Sequence, residues 1–355
     1  MNGEFSLKQF YRKLRIPKDE RPLIEEMMAK GLEKYYYDLY GYHKYGKEPV
    51  FLIGERLGEP YIFGYAAVRI LHHQDLSDRT KQRVAEYTLA ITRPGEEYGV
   101  PHGLLAAISY LAAGGHLRGR RLASAIRNLA GERDVFVGST KEDTTALTDG
   151  ILADRALPLE ERLDLLYFLL ARCEFTFALG KEMLGRALET PALAREQKKA
   201  LCTWLIHGRE DVRQGGLSLM EAMVRGKRPA GFTGLTTALF GLVPDYLKRA
   251  AIVGLARLEG NPMAVARCYL GAGEQYEAVP FDQAVADIIE AFHEEMRPAE
   301  AREMVEQGIQ AGAFQTRLRF YRLGLKLYGP EFIRPALEDR SSKVRKWAGK
   351  HLQKE

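Results

Sequence analysis

Pro330-Glu331-Phe332-Ile333-Arg334-Pro335-Ala336-Leu337 runs into a polar turn, Glu338-Asp339-Arg340-Ser341-Ser342, and out again into Lys343-Val344-Arg345-Lys346-Trp347-Ala348 and Leu352. Apolar side chains in both arms recur three and four positions apart, the period of a helix that buries one stripe. The turn between them carries Asp and Ser, whose side chains accept hydrogen bonds from the free amides at a helix start. The stretch reads as two short helices folded back on each other, closing the chain over about 330–355. Ala348 lets the two arms approach closely, and Leu352 fills the groove between them.

The same rhythm extends outward through most of the chain. Leu201, Leu205, Leu217, Met220 and Val224, and again Ile252, Leu255 and Leu258, fall on helical stripes, whereas runs of period two are nearly absent. Helix-terminating residues punctuate it: Arg93-Pro94-Gly95, Gly208, Gly226 through Pro229, Gly260-Asn261-Pro262, Gly273, Pro298 and Gly329-Pro330. Start signals lie beside these breaks. Ser77-Asp78 precedes Arg79, and Ser139-Thr140 with Glu142-Asp143 opens a helix before Leu147. Pro158 with Glu160-Glu161 puts proline and acids into a first turn, where the helix dipole favours them. Roughly fifteen to eighteen helices joined by short loops are predicted, an all-α chain. No Ser/Gly linker or low-complexity run divides it. One continuous array over 48–355 is therefore expected, preceded by a Tyr-rich helical cap over 1–47.

Weaker copies of the C-terminal unit lie upstream. Asp211-Val212-Arg213 leads into Gly216 and Leu219, Asp245-Tyr246-Leu247-Lys248-Arg249 into Ala250-Ala251 and Leu255, and Asp78 with Lys81-Gln82-Arg83-Val84 into Ala85 and Leu89. Arg213 and Arg249 stand 36 residues apart, and Arg249 and Arg345 stand 96 apart, two steps of 48. Such spacings suit one helix pair per repeat. The pattern resembles the HEAT-repeat family (ARM-type α-superhelix), whose units are antiparallel helix pairs with an Asp in the turn and Val-Arg opening the second helix. The resemblance is clearest over about 331–352, extends to 205–258, and elsewhere is a matter of helix rhythm. It implies a right-handed α-solenoid of stacked antiparallel helix pairs. Asp211, Arg213, Asp245, Arg249, Asp339 and Arg345 are then structural repeat positions. Two readings are open for them: a polar ladder inside the array, or contact with a ligand.

Composition excludes several classes. At 46% hydrophobic and 28% charged residues, the chain can build a core and is not wholly disordered. The start, MNGEFSLKQFYRKLRIPKDE, has no apolar core of a secretory signal. The longest apolar stretch, Leu104–Ala113, is half a bilayer span. A cytoplasmic protein with no membrane partner is expected. Cys173, Cys202 and Cys268 are too far apart for a disulfide framework or an all-Cys zinc site, and their apolar helical context predicts inert core positions. His72-His73 would point about 100° apart on a helix, and His293-Glu294-Glu295 lacks a second His one turn on. That single His-Glu also does not match the deoxyhypusine hydroxylases, HEAT enzymes that bind two irons through repeated His-Glu pairs. Gly231-Phe232-Thr233-Gly234 follows no strand, no Gly-Lys-Ser/Thr closes a P-loop, and no Gly-x-Ser-x-Gly elbow occurs. Gly138-Ser139-Thr140-Lys141 reads as a helix N-cap. No cofactor, metal or catalytic residue is predicted.

Charge is the most informative feature. The formal net charge of +5 conceals strong local fields. Residues 274–306 hold ten acids and two arginines, a net of −8, while 315–355 hold eleven basic residues and four acids, a net of +7. Residues 117–133 add five arginines against Glu132, a net of +4. Either neighbouring acidic and basic helices neutralise each other, or they form polar ridges for a partner. Six of the 18 tyrosines fall between Tyr35 and Tyr45, too many directions for all to be core. They form a cap over the first repeat or a binding surface. The candidate partner-binding residues are Tyr36, Tyr40, Arg118, Arg120, Arg121, Lys248, Lys343 and Lys346. The leading expectation is a non-enzymatic scaffold that binds a protein or peptide partner along the concave face of a solenoid. The alternative is nucleic-acid binding. HEAT-like alkylpurine DNA glycosylases place aromatic residues and an acid over a damaged nucleotide on a basic concave surface. Trp204 with Asp211, and the Arg118/Arg120/Arg121 and Lys343/Arg345/Lys346 clusters, are the analogous residues here.

Overall fold

Local capping chemistry sets where the helices begin. The Thr140 hydroxyl accepts the Asp143 amide at 3.1 Å, while the Asp143 carboxylate takes the Thr140 amide at 2.9 Å, a reciprocal cap that satisfies two free donors. Asn261 caps another start by accepting from the Ala264 amide at 3.1 Å, with Pro262 occupying the first helical position. Ser77 does the same for the helix that opens at Asp78, its hydroxyl accepting the Thr80 amide at 3.3 Å. The Thr140 and Ser77 caps are start signals visible in the sequence, whereas Asn261-Pro262 is read there as a break and here also opens a helix.

The computed structural model describes residues 7–40, 60–91, 103–130, 140–171, 177–208, 243–272 and 278–353. Among them the fold is all-α, with sixteen α-helices, one 3-10 helix and no strand. The chain divides into two compact units. The described helices of the first are α1 (Leu7–Leu14), α2 (Arg21–Tyr40), α3 (Pro60–His72), α4 (Asp78–Ile91), α5 (Leu104–Ala113), α6 (Gly119–Ala130), α7 (Lys141–Ala153), α8 (Leu159–Ala171) and α9 (Phe177–Glu189). The second unit contains α10 (Arg195–His207), α11 (Asp245–Glu259), α12 (Pro262–Tyr269), α13 (Ala278–Phe292), α14 (Pro298–Gly308), α15 (Phe314–Tyr328), the 3-10 helix (Pro330–Glu338) and α16 (Ser342–Leu352).

Each unit has the same local order. In the first, α2, α3, α5, α7 and α9 form a row in which each helix touches the next. Beside it, α4 packs on α3 and α5, α6 on α5 and α8, and α8 on α7 and α9. In the second, α10, α11, α13 and α15 form such a row, with α12 against α11 and α13, and α14 against α13 and α15. A short amphipathic helix covers its apolar stripe by packing against two or more neighbours, here row helices and the helix beside them. At the start of the chain, Phe10, Phe63 and Tyr87 from α1, α3 and α4 meet edge to face, with centroids 5.2–5.6 Å apart. At its end, Tyr321, Ile333, Ala336, Val344 and Ala348 form one buried cluster that joins α15, the 3-10 helix and α16.

The first arm of the closing unit is a 3-10 helix rather than an α-helix. Pro335 lies inside it, has no amide to donate, and disfavours the α conformation at Arg334. Asp211, Arg213, Cys173, Ser139 and residues 231–234 lie outside the described residues, as do the side chains of Tyr36 and Tyr40.

Helix α2 meets α3 at Gly31, where a Cβ would come 2.7 Å from the Ala66 backbone nitrogen. Backbone cannot yield as a flexible side chain can. Gly31→Ala is expected to force the two helices apart and to destabilise the first unit by about 1–3 kcal/mol, read as a lower thermal unfolding midpoint.

Candidate functional site

Helices α5 and α7 pack closest where Gly150 faces Ala112; a Cβ on Gly150 would sit 2.9 Å from that of Ala112. This close approach needs small residues around it. Ala112, Ala113, Ala146, Gly150, Ala153 and Ala156 accordingly line a groove of about 770 Å³ in the first unit. Its polar lining comes from Arg118, Lys141, Glu142, Thr145, Asp149, Asp154 and Arg155.

A buried carboxylate sets the geometry of the mouth. Asp154, at the C-terminal end of α7, accepts the Gly119 amide at 2.6 Å and the Ala156 amide at 2.9 Å. It thereby ties the turn before α6 to the turn after α7. Arg118 and Arg155 each adjoin a member of that bond, so both turns deliver an arginine to the groove. The Arg118 guanidinium lies across the preceding turn, in space that a Cβ on Gly115 would occupy. Gly115 is also left-handed, with φ +68°, and it is this backbone conformation that calls for glycine, since the arginine tip could move aside.

Most of the remaining charges on the rim are engaged within the unit. Asp149 is held by Arg186 through two hydrogen bonds of 2.7 and 2.8 Å. Lys141 lies 3.1 Å from Glu182. Glu142 sits in the first turn of α7, where its own backbone amide and the Thr140 hydroxyl hold its carboxyl below the usual range. Arg118 and Arg155 are exposed and have no carboxylate partner among the described residues. The groove therefore offers a floor of methyl groups and two uncompensated guanidinium charges.

The other sequence-predicted residues fall elsewhere. Arg120 and Arg121 are exposed on α6 but do not line the groove, while Arg127, further along it, pairs with Glu161 at 2.8 Å. Lys248 is half-buried on α11, and Asp245 is exposed at its first turn. Arg249 reaches across to α13, where its guanidinium contacts Asp287 at 2.6 and 2.9 Å and Gln283 at 2.8 Å. Asp287 also accepts Arg319 from α15 at 2.7 Å, and Glu290 accepts both Arg319 and Lys326. These contacts hold the Glu290 carboxyl down to about 2. The acidic segment 274–306 and the basic segment 315–355 thus meet along α13 and α15.

Asp339 is buried and takes the guanidinium of Arg317 through two bonds of 2.8 Å. It also accepts the Ser341 amide at 2.7 Å, and its carbonyl receives Arg345 at 2.6 Å. Lys343 and Lys346 are exposed on α16. Of the cysteines, Cys202 is buried, and desolvation pushes its thiol up to about 12. Cys268 is exposed, contrary to the expected core position. The eight-residue α12 buries only Val265 and Ala266, and position 268 falls on its open side.

Asp154 and Arg155 are not singled out by the sequence reading, although the Asp-in-turn signal seen at Asp339 is present there too. Asp287, Glu290 and Arg319 are visible only as members of oppositely charged segments. Among the described residues, no group of three or more His, Cys, Asp or Glu side chains could hold a metal ion, and no helix is long and apolar enough to cross a membrane. Comparison of the chain with protein-family models, curated proteins and solved structures returned no match. The HEAT resemblance therefore rests on the residues quoted for it.

Helix α7, which forms one wall of the groove, is anchored by a contact from α3. His72 Nε2 lies 2.9 Å from Asp143 Oδ1, and that hydrogen bond raises the imidazole pKa against the opposing effect of burial. A raised folded-state pKa stabilises the fold below the unfolded value of about 6.5, and the contribution is lost as pH rises through the folded value. The thermal midpoint of wild type should exceed that of His72→Gln by most near pH 6, with the gap closing towards pH 8. The difference should not exceed about 1 kcal/mol, since a third of the ring is in water.

Proposed function

We propose that the chain is a non-enzymatic, cytoplasmic scaffold of HEAT-like repeats. Each unit is a right-handed array of antiparallel helix pairs, and an acidic segment of a protein partner binds along its concave face. The single observation that carries the reading is the groove at α5 and α7, whose two arginines have no carboxylate partner among the described residues, while Asp149 and Lys141 are paired. Support for the repeat architecture comes from helices that touch their first and second successors, and from Asp-containing turns such as 154–157 and 338–341.

The groove suits an extended segment. Alanine and glycine let a main chain approach the floor, where larger side chains would hold it off. The partner's carboxylates then pair with Arg118 and Arg155, whose planar guanidinium groups match a carboxylate through two parallel bonds. Asp149 is paired with Arg186 and so adds no uncompensated repulsion, and Asp154 is buried with its oxygens turned to the Gly119 and Ala156 amides. Glu142 remains on the rim and disfavours a carboxylate at the α7 end, which gives the segment a direction.

A fluorescein-labelled peptide of alternating Glu and Ala is the direct probe, read by anisotropy. The proposal expects salt-sensitive binding that Arg118→Glu with Arg155→Glu weakens at least tenfold, and a matching Lys/Ala peptide that does not bind. Equal binding of both peptides, or no effect of the double substitution in a folded variant, removes the reading. Asp154→Ala, although it touches no peptide, should also weaken binding, because the two arginines lose the bond that brings their turns together.

A further inference from the structure

The basic residues of 315–353 do not share one fate. Arg317 is buried on Asp339, Arg319 and Lys326 are bound to the carboxylates of α13, and Arg334 pairs with Glu331. Arg340 donates to the carbonyls of Ala311 and Gly312, and Arg345 to that of Asp339. Lys346 and Lys350 have no partner among the described residues, and Lys343 lies 4.8 Å from the centroid of Phe314, a contact that leaves its charge uncompensated. Apart from Arg322 on α15, the uncommitted charge of this segment is thus gathered on α16.

The three lysines are exposed and stand at spacings of three and four residues, so they form one stripe. Val344 and Ala348, both buried, occupy the opposite face. At a rise of 1.5 Å per residue the stripe runs for about 10 Å. No acid lies on α16 to cancel it. Along its flank lies Trp347, half-buried, with its ring centroid 4.7 Å from that of His351 and the two planes 35° apart.

We propose that this face of α16 is a contact surface for single-stranded nucleic acid, with phosphates on Lys343, Lys346 and Lys350 and a base against the Trp347–His351 pair. Charge complementarity selects a polyanion, and the aromatic flank selects one with flat π faces. A duplex presents the same phosphates but keeps its bases stacked on each other. An acidic peptide or an anionic lipid surface would engage the lysines without a ring to stack. The site is independent of the groove at Arg118 and Arg155, which lies in the other unit.

The test uses the full chain with Trp204→Phe, so that Trp347 is its sole tryptophan fluorophore, titrated with a ten-residue oligothymidylate. Quenching of Trp347 is expected, with an affinity that falls with salt. A plot of log K against log salt should have a slope of about −2, from roughly −0.7 for each of three phosphates. Replacing all three lysines by alanine should weaken binding at least tenfold at low salt and flatten the slope, with unchanged circular dichroism. Trp347→Phe, followed by anisotropy of a labelled oligonucleotide, should weaken binding while keeping the slope. Arg118→Glu with Arg155→Glu should leave oligonucleotide binding intact. The inference is overturned if the triple lysine variant binds as wild type does, or if the arginine pair abolishes binding. It is likewise overturned if, in the Arg118→Glu with Arg155→Glu background, polyglutamate or phosphatidylserine vesicles quench Trp347 with an affinity equal to that of the oligonucleotide.

Discussion

A short amphipathic helix cannot bury its apolar stripe against one neighbour, and this constraint organises both units. Helix α5 shows it most directly. Eight of its ten residues are buried, so α3, α4, α6 and α7 all have to pack around it. Close approach of α7 then demands Gly150 opposite Ala112, and the same small residues open the groove alongside. The candidate site is thus a by-product of helix packing, furnished with charge by the turns at its edge.

Buried carboxylates hold those turns. Asp154 accepts the amide of Gly119, which is left-handed at φ +59°, and in the second unit Asp282 accepts the amide of Gly271, at φ +72°. Both aspartates are buried, and in Asp282 desolvation outweighs the bond from Gly271 and raises the carboxyl pKa. The Asp339 carboxyl, by contrast, is held below its usual range, chiefly by Arg317. A buried carboxylate without partners is costly, so each such aspartate specifies the turn it meets. Removing Arg317 or Asp339 alone would leave the other charge uncompensated, a cost of about 3–5 kcal/mol.

The charge pattern separates in the same way. The acids of α13 and the bases of α15 meet through Asp287 and Glu290, and Arg249 extends the network to α11. These pairs are partly exposed, so each contributes modestly; they align three successive helices rather than drive their folding. What they leave over is informative. Among the described residues, the positive charge these pairs leave over includes two settings that differ in kind: arginines over an alanine floor, and lysines beside a tryptophan.

Helix content and most helix ends were legible in the sequence, because periodicity and capping act over four or five residues. Thr140 with Asp143, and Asn261 with Pro262, depend on little outside themselves. The exposed setting of Cys268 was not legible, because an apolar neighbourhood in sequence does not reveal which side of a short helix faces a neighbour. Nor was the 3-10 form of 330–338, although Pro335 carried the signal for it. The pairing of Asp287 with Arg249 and Arg319, at separations of 38 and 32 residues, and the bond of Asp154 to Gly119, at 35, were decided by tertiary structure alone. Sequence shows which residues carry charge; only packing decides which of those charges are cancelled, because an ion pair requires two helices to lie side by side. Arg118 and Arg155 became a site by that route: the fold brought their turns together and, among the described residues, provided no carboxylate for either.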